Sequence, residues 1–400
     1  MADEPAGGRS YAHLPDELLG KILEDVPDTV AKMNSMFDIQ DEPIAQGIAE
    51  LRKLNKIAKL TTTEVSHSLV AVDGGNILDK MAGSDLLLAV AVGVEGLTED
   101  PKTDWGEAKN QYYQWQTVMP HGEANARLTQ GVMFLMELSV LANDDHEIRI
   151  MDGTHFTSIL KVNSMLSATE EAAGPEYVEA LKDFLKKTYD KIIPDIPDIM
   201  TAAFNNDSII ALAKYSSSTD VIDAFLSHCG IKLDDKTFFT LGLDADEYLV
   251  PMSVGQSKQE RERIWDDLHI SCNLKIPEKE VLNAALSSAI YPIKTKDKSK
   301  KHKESELYYT YYKPYEDGPA YRIEIKKSLA VDAARLEKYL NSLKKQIVFP
   351  EIREPYPQYL VDLMAKSIAT GLFSIKEAIL LSPDLKIDKG KFNLLFSYRT

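Results

Sequence analysis

The chain has 400 residues, of which 62 are acidic and 46 basic, and its formal charge is −16. Hydrophobic residues make up 44% and charged residues 27%, which excludes a disordered, collagen-like or coiled-coil protein and fits one large domain or two. Two cysteines, Cys229 and Cys272, are too few for a disulfide scaffold or a four-cysteine zinc site. The negative charge argues against a protein that coats nucleic acid, although a nuclease needs only a local basic path.

Residues 1–10 lack the basic region and apolar core of a signal peptide. The most apolar run, residues 86–94, is much shorter than the ~20 residues that a membrane helix requires. We therefore expect a cytoplasmic protein with no membrane partner.

Residues 14–60 have apolar residues at helical spacing, with Leu18, Leu19, Ile22 and Leu23 on one face. We predict an N-terminal helical arm over residues 1–64 and a main domain over residues 65–400.

The main domain begins with a short apolar run, residues 68–73, which the pair Gly74-Gly75 is expected to end as a strand. Residues 85–94 and 112–119 predict two further strands, residues 123–142 a helix, and residues 147–152 a fourth strand. Three antiparallel strands, a helix and a parallel strand is the element order of the ribonuclease H-like fold. We predict an α/β protein with a mixed sheet flanked by helices.

The second half of the chain predicts a helical insertion over about residues 155–200, in which residues 176–193 are the clearest helix. Residues 207–214 predict a strand, residues 238–241 the start of an irregular β region, residues 306–312 and 320–325 a hairpin, and residues 331–346 and 356–370 two helices. Six lysines lie between residues 294 and 303. Such a run is either a solvated loop or a segment that contacts DNA.

Two aspartates, Asp73 and Asp152, end predicted strands and are each followed by glycine. If the two strands are neighbours, both carboxylates lie at one end of the sheet and repel each other unless a proton or a cation intervenes. Mg²⁺ and Mn²⁺ are suited to such oxygen ligands. The alternative is that each Asp-Gly pair is only a turn.

Two further acids, Glu137 and Asp362, lie within apolar helical segments. Four carboxylates from separate elements can hold the two metal ions used in phosphodiester cleavage. Alternatively, Glu137 is solvated or paired with Arg127 or Arg149, and Asp362 is an exposed helix residue.

Lys214 follows the predicted strand over residues 207–214, where it either stabilises transition-state charge or lies on the surface. Tyr112, Tyr113 and Trp115 either stack on the bases of a single strand or are half-buried strand residues. His155 lies near Asp152 in sequence, and we assign it no role.

Several short segments resemble the NurA nuclease family, and they do so in chain order across about residues 68–369. They are residues 70–75 (VAVDGG), the helix with Glu137, residues 150–154 (IMDGT), residues 209–216 (IIALAKYS), the Asp235-Lys236 step, residues 308–324 and residues 354–357 (EPYP).

This resemblance implies a ribonuclease H-like fold, a homodimer, and degradation of DNA with Mn²⁺ or Mg²⁺. It also implies work beside HerA, a hexameric DNA-translocating ATPase, in end resection or phage defence. By resemblance, Asp73, Glu137 and Asp152 correspond to the metal-binding carboxylates.

The sequence departs from the family pattern in its C-terminal segment. Glu354, Gln358 and Asp362 stand where the family often has a tyrosine, a leucine and, nearby, a histidine. Because aspartate binds a hard cation as well as histidine does, we keep Asp362 as the fourth ligand. The predicted catalytic set is Asp73, Glu137, Asp152, Asp362 and Lys214.

Two alternatives belong to other functional classes. One is a catalytically inactive adaptor of the ATPase, which the altered C-terminal motif and the acidic charge favour. The other is an actin-like or sugar-kinase-like ATPase in which both Asp-Gly pairs form phosphate loops, although no late Gly-Gly adenosine motif is evident.

Overall fold

One mixed sheet organises the computed structural model, which describes residues 15–36, 41–61, 67–97, 111–166, 168, 173–184, 206–254, 307–348, 352–388, 390 and 391. The strands are β1 (Ile57–Lys59), β2 (Leu69–Met81), β3 (Ser84–Glu95), β4 (Tyr112–Met119), β5 (Ile148–Asp152), β6 (Ile209–Ala213), β7 (Glu247–Leu249), β8 (Met252–Ser253), β9 (Leu307–Lys313) and β10 (Tyr321–Lys326). Their order is β1-β7-β9-β10-β6-β5-β2-β3-β4, and β8 pairs with β9.

Helices cover both faces and one end of the sheet. They are α1 (Asp16–Glu24), α2 (Val26–Met36), α3 (Asp41–Lys53), α4 (Asn125–Asn143), α5 (His155–Leu166), α6 (Pro175–Asp183), α7 (Asp220–Phe225), α8 (Asp235–Gly242), α9 (Lys327–Ala330), α10 (Ala333–Lys345) and α11 (Tyr356–Leu381). Among the described residues, no helix has both the length and the apolar character needed to cross a bilayer.

The predicted element order is confirmed at the centre of the sheet. Strands β2, β3 and β4 are antiparallel neighbours, helix α4 follows, and β5 then pairs parallel to β2. Strand β6 continues the parallel part beside β5, and β9 and β10 form the predicted antiparallel pair. The chain is therefore a mixed α/β protein.

Alternation along the central strands produces two cores. On β2, Val70 and Val72 face α4, α5 and α6, whereas Leu69 and Ala71 face α10 and the start of α11. A strand directs successive side chains to opposite faces, so its near-continuous apolar sequence is buried on both sides. A third apolar cluster joins α3, α7 and α8 to β7 and β9.

Three predicted boundaries are wrong. Strand β2 does not end at Gly74-Gly75 but continues to Met81, because β3 pairs with it along its whole length. Residues 238–241 lie in helix α8, whose first turn is capped by the Asp234 side chain accepting from the Thr237 N–H. Residues 57–59, expected to be helical, form β1.

The N-terminal region has two structural environments. Helices α1 and α2 are largely exposed, but α3 buries Ile44, Ile48 and Leu51 in the third cluster, and β1 pairs with β7. Part of the predicted insertion is described as α5 and α6. The rest of the insertion and the lysine run at residues 294–303 lie outside the described residues.

Candidate metal centre

Three aspartates from separate elements converge beside the parallel strands. Asp73 lies within β2, Asp152 ends β5 and Asp362 lies on α11, and one carboxylate oxygen of each falls within 4.8 Å of the other two. The register pairs Val72 with Met151, so Asp73 and Asp152 stand at the next level of adjacent strands. The two carboxylates are close because they occupy equivalent positions on neighbouring parallel strands.

Glu137 approaches the same place from α4 and is only 2% exposed. Its approach depends on Gly74, because a Cβ at that position would collide with the Glu137 Oε1 atom and with Met133. This Oε1 atom has no hydrogen-bond partner among the described residues. Gly75 likewise allows α11 to pack closely on β2, since a Cβ there would collide with the carbonyl oxygen of Ala365.

Burial and repulsion by neighbouring carboxylates oppose ionisation of Asp73 and Glu137. Burial raises the pKa of Asp73 to about 7, with a further contribution from Asp152, against the 2.8 Å hydrogen bond that the Gly74 N–H donates to Asp73. Burial raises the pKa of Glu137 well above its usual range, and Asp73 and Asp152 add to the effect. Positive charge close to the cluster would therefore stabilise the ionised form of these two acids.

Lys214 supplies part of that charge. Its Nζ atom lies 3.6 Å from Asp152, 3.3 Å from Glu354 and 3.4 Å from Asp362. Burial acts to lower the pKa of Lys214, but these carboxylates outweigh burial and raise it. For Asp362, burial acts to raise the pKa, but hydrogen bonds and charge from Lys366 and Lys214 lower it.

Two site residues had no role in the sequence analysis beyond marking departures from the family pattern. The Gln358 Nε2 atom donates to Asp152 Oδ1 at 2.6 Å, and Glu354 pairs with Lys214. Gln358 and Asp362 are four residues apart on α11 and so share one helical face. That spacing could have indicated that Gln358 faces the same centre as Asp362.

A cavity of about 470 Å³ opens beside Lys214. Lys236 lies on its wall and donates through Nζ to the backbone carbonyl of Lys214, which ties α8 to the end of β6. Arg353 also lines the cavity, and Tyr215 at its edge is 93% exposed. The cavity therefore combines cations with an accessible aromatic ring.

The other sequence candidates lie in structural environments of their own. Trp115 is 5% exposed and packs against Phe184 at 6.1 Å between ring centroids, whereas Tyr112 is exposed on β4. His155 is buried, and its backbone N–H donates to Glu324 at 3.0 Å. Asp235 accepts from the N–H groups of Val221 and Ile222.

The donor set fits a hard divalent cation. All four acids offer oxygen ligands, which Mg²⁺ and Mn²⁺ prefer. The unpartnered Oε1 atom of buried Glu137 is an acceptor for which such an ion would compensate. Asp73, Asp152 and Asp362 could therefore hold it together, and Glu137 lies beside them, against Gly74.

The comparisons with known proteins agree with this architecture. The family profile described as NurA domain matches residues 67–363. The crystal structure of the NurA nuclease from Sulfolobus solfataricus is 16% identical, with a TM-score of 0.51 over 92% of this chain and 100% of that one. A structure of NurA with manganese is 12% identical, with a TM-score of 0.46 over 92% and 100% of the two chains. No match was found among curated protein sequences.

The chain belongs to the NurA family, since the profile covers well over half of its length. The similarity to the Sulfolobus structure extends this relationship to the fold. The second Asp-Gly pair ends a strand, but Asp73-Gly74-Gly75 lies inside β2. The Asp73-Gly74 pair therefore does not form the phosphate loop that an actin-like ATPase would need.

Proposed function

We propose that this protein is a metal-dependent DNA nuclease that hydrolyses phosphodiester bonds. The observation that carries the proposal is the convergence of Asp73, Asp152 and Asp362 within 4.8 Å, with buried Glu137 beside them. Membership of the NurA family and the similarity to a structure named a nuclease support the same activity.

A divalent ion held by the four acids would neutralise phosphate charge and make a bound water more acidic. We extend the proposal to two ions, because Mg²⁺ is usually held by one or two protein carboxylates and this site has four. Crystal structures of NurA have been solved with manganese and with dAMP and manganese together. Since oxygen ligands also suit Mg²⁺, Mn²⁺ and Mg²⁺ are the ions to test.

The chain's own residues have distinct tasks in this proposal. Gln358 holds the Asp152 carboxylate through its 2.6 Å hydrogen bond, which limits the orientations available to that ligand. Lys214, held among the carboxylates and braced by Lys236, is placed to offset charge that develops on the phosphate. The cavity beside Lys214 provides a path for the DNA strand. Lys236 and Arg353 would contact its phosphates, and Tyr215 would stack on a base.

The test is cleavage of end-labelled single- and double-stranded DNA with Mn²⁺, Mg²⁺ or EDTA. We expect cleavage in either ion, none in EDTA, and a loss of about a hundredfold or more in Asp73→Asn. The matched control is Asp79→Asn, which makes the same chemical change on the same strand at a residue paired with Lys376. Equal cleavage by wild type and Asp73→Asn would reject the site.

The finer parts of the proposal are a homodimer, a cytoplasmic location and a HerA-like hexameric ATPase that feeds DNA to the nuclease in end resection or phage defence. If the purified chain cleaves no DNA in either ion, the assay is repeated with the ATPase and ATP. Cleavage then would mean a partner-dependent enzyme, whereas its continued absence with intact binding would favour the inactive adaptor.

A further inference from the structure

A second cluster of metal-ligating side chains lies away from the carboxylate centre. Glu50 is in the last turn of α3, and His228 and Cys229 lie in the turn that follows α7. One ligand atom of each falls within 4.8 Å of the other two. The His228 Nε2 atom is 2.9 Å from Glu50 Oε2, and Cys229 Sγ is 3.8 Å from the same oxygen.

The backbone that carries these side chains is held in place. The Cys229 N–H donates to the Leu226 carbonyl at 2.9 Å, and Gly230 completes the turn with a positive φ of 70°. Opposite the turn, α3 packs closely, since a Cβ at Gly47 would lie only 3.0 Å from Ile231. The backbone positions from which the three side chains extend are therefore held close to one another.

The chemistry of the cluster differs from that of the four acids. A thiolate, an imidazole and one carboxylate form a mixed donor set that suits zinc, whereas Mg²⁺ and Mn²⁺ prefer oxygen. Arg52, on the same helix turn as Glu50, is already paired with Glu247 at 2.7 Å and Asp244 at 2.8 Å. Zinc binds the thiolate form of cysteine, so binding would release the Cys229 thiol proton to solvent.

We propose that Glu50, His228 and Cys229 form a zinc site that fastens α3 to the turn after α7. Water or another small ligand would occupy the fourth position, because three protein ligands leave a tetrahedral zinc incomplete. The side chain of His228 is 63% exposed, so the ion can enter from solvent. This site would be independent of the nuclease centre, which draws its ligands from β2, α4, β5 and α11.

The test is a titration of the full chain, first stripped of metal, with Co²⁺ as a spectroscopic substitute for zinc. We expect a cobalt–thiolate charge-transfer band that saturates with Co²⁺ and is displaced by Zn²⁺. The band should disappear in Cys229→Ser, and His228→Gln should weaken Zn²⁺ binding about tenfold or more. It should persist in the matched control Cys272→Ser and in Asp152→Asn.

Other results would overturn the zinc site. A band that survives Cys229→Ser but is lost in Cys272→Ser would place the thiolate at the other cysteine. The absence of a band at saturating Co²⁺ in the wild-type protein would mean that Glu50 and His228 form only a surface ion pair beside a thiol. Because His228 is exposed, its substitution tests the site even if Cys229→Ser fails to fold. Asp152→Asn changes the proposed nuclease centre only. Persistence of the band in that variant therefore shows that the zinc site and the nuclease proposal stand or fail separately.

Discussion

At the scale of single residues, the carboxylate centre depends on the absence of a side chain at one position and on a hydrogen bond at another. Gly74 allows Glu137 to approach β2, and Gln358 orients Asp152. Neither residue is one of the four proposed ligands. Their positions in the chain become meaningful only because α4 and α11 pack over the strand that contains Asp73.

We expect Gly74→Ala to destabilise the protein by about 1–3 kcal/mol, because the added methyl group must displace Glu137 and Met133. Chemical denaturation measures this change. The control is Gly371→Ala on α11, where nothing lies within 4 Å of the added Cβ. That substitution should stabilise the protein by about 0.5–1 kcal/mol because alanine favours a helix. If Gly74→Ala were equally harmless, Glu137 would not be held where we describe it.

Gln358→Leu keeps most of the side-chain volume but removes the hydrogen bond to Asp152. We expect the apparent affinity for Mn²⁺ to fall about 10- to 100-fold, with cleavage largely restored at saturating Mn²⁺. Dependence of the cleavage rate on Mn²⁺ concentration provides the measurement. Gln346→Leu is the control, because Gln346 is also buried but donates to the Leu97 carbonyl. A variant with unchanged metal dependence at position 358 would contradict the orienting role.

At the scale of elements, a side chain of one helix satisfies the end of another at the junction of α7 and α8. Asp235, in the first turn of α8, accepts from the N–H groups of Val221 and Ile222 at 2.9 and 3.1 Å. These amides belong to the first turn of α7 and have no partner within their own helix. One buried carboxylate thus satisfies the end of a neighbouring helix, which makes the segment between residues 220 and 242 a single packed unit.

The protonation of Asp235 should affect stability. Burial raises the pKa of Asp235 to about 7, against the two amide hydrogen bonds. Between the unfolded pKa near 4 and about 7, the folded state binds the extra proton, so this group makes the free energy of unfolding fall as pH rises. We therefore expect the stability of wild type minus that of Asp235→Asn to decline from pH 4 to pH 7 and to level off above. Urea denaturation at several pH values measures it, and a difference that rises with pH would contradict the assignment.

At the scale of the whole molecule, the concentration of acids at one site sets a balance between stability and function. The chain carries a formal charge of −16, and it gathers Asp73, Asp152 and Asp362 at one point. Without a metal ion, the burial of ionised Asp73 and Glu137, whose pKa values are raised, opposes folding. Strands β2 and β5 and helix α11 must therefore be held together by the apolar cores around them.

This balance predicts a thermal shift that depends on the metal. Mn²⁺ should raise the melting temperature of the wild type relative to EDTA. At a concentration one hundred times the dissociation constant, the binding adds about 2.7 kcal/mol to the free energy of unfolding. Asp73→Asn should melt higher than the wild type in EDTA but gain much less from Mn²⁺. The control is Glu17→Gln on exposed α1, which should respond as the wild type does. An equal gain in Asp73→Asn would show that Mn²⁺ stabilises the protein elsewhere.

Much of the central architecture follows from local sequence. The apolar runs of β2, β3 and β5 and the long helix α4 have strong periodicity or length, and their order alone indicated a mixed α/β sheet. The acids at residues 73, 137 and 152 were also visible, because a charged residue stands out against an apolar run. Helix α8 was missed, because Phe238 and Phe239 suit a strand by composition, and only the Asp234 cap and packing against α3 favour a helix.

The sequence by itself determined the alternation of buried and exposed positions, the order of the main elements and the residue types able to bind a cation. Tertiary structure alone decided that β2 continues through Gly74-Gly75, since pairing with β3 along the whole strand outweighs the local preference of glycine for a turn. It also decided that Lys214 meets Asp152, Glu354 and Asp362, and that Gln358 meets Asp152. Such contacts join elements up to about 200 residues apart, and no local pattern specifies them because they arise only when α11 packs against the sheet.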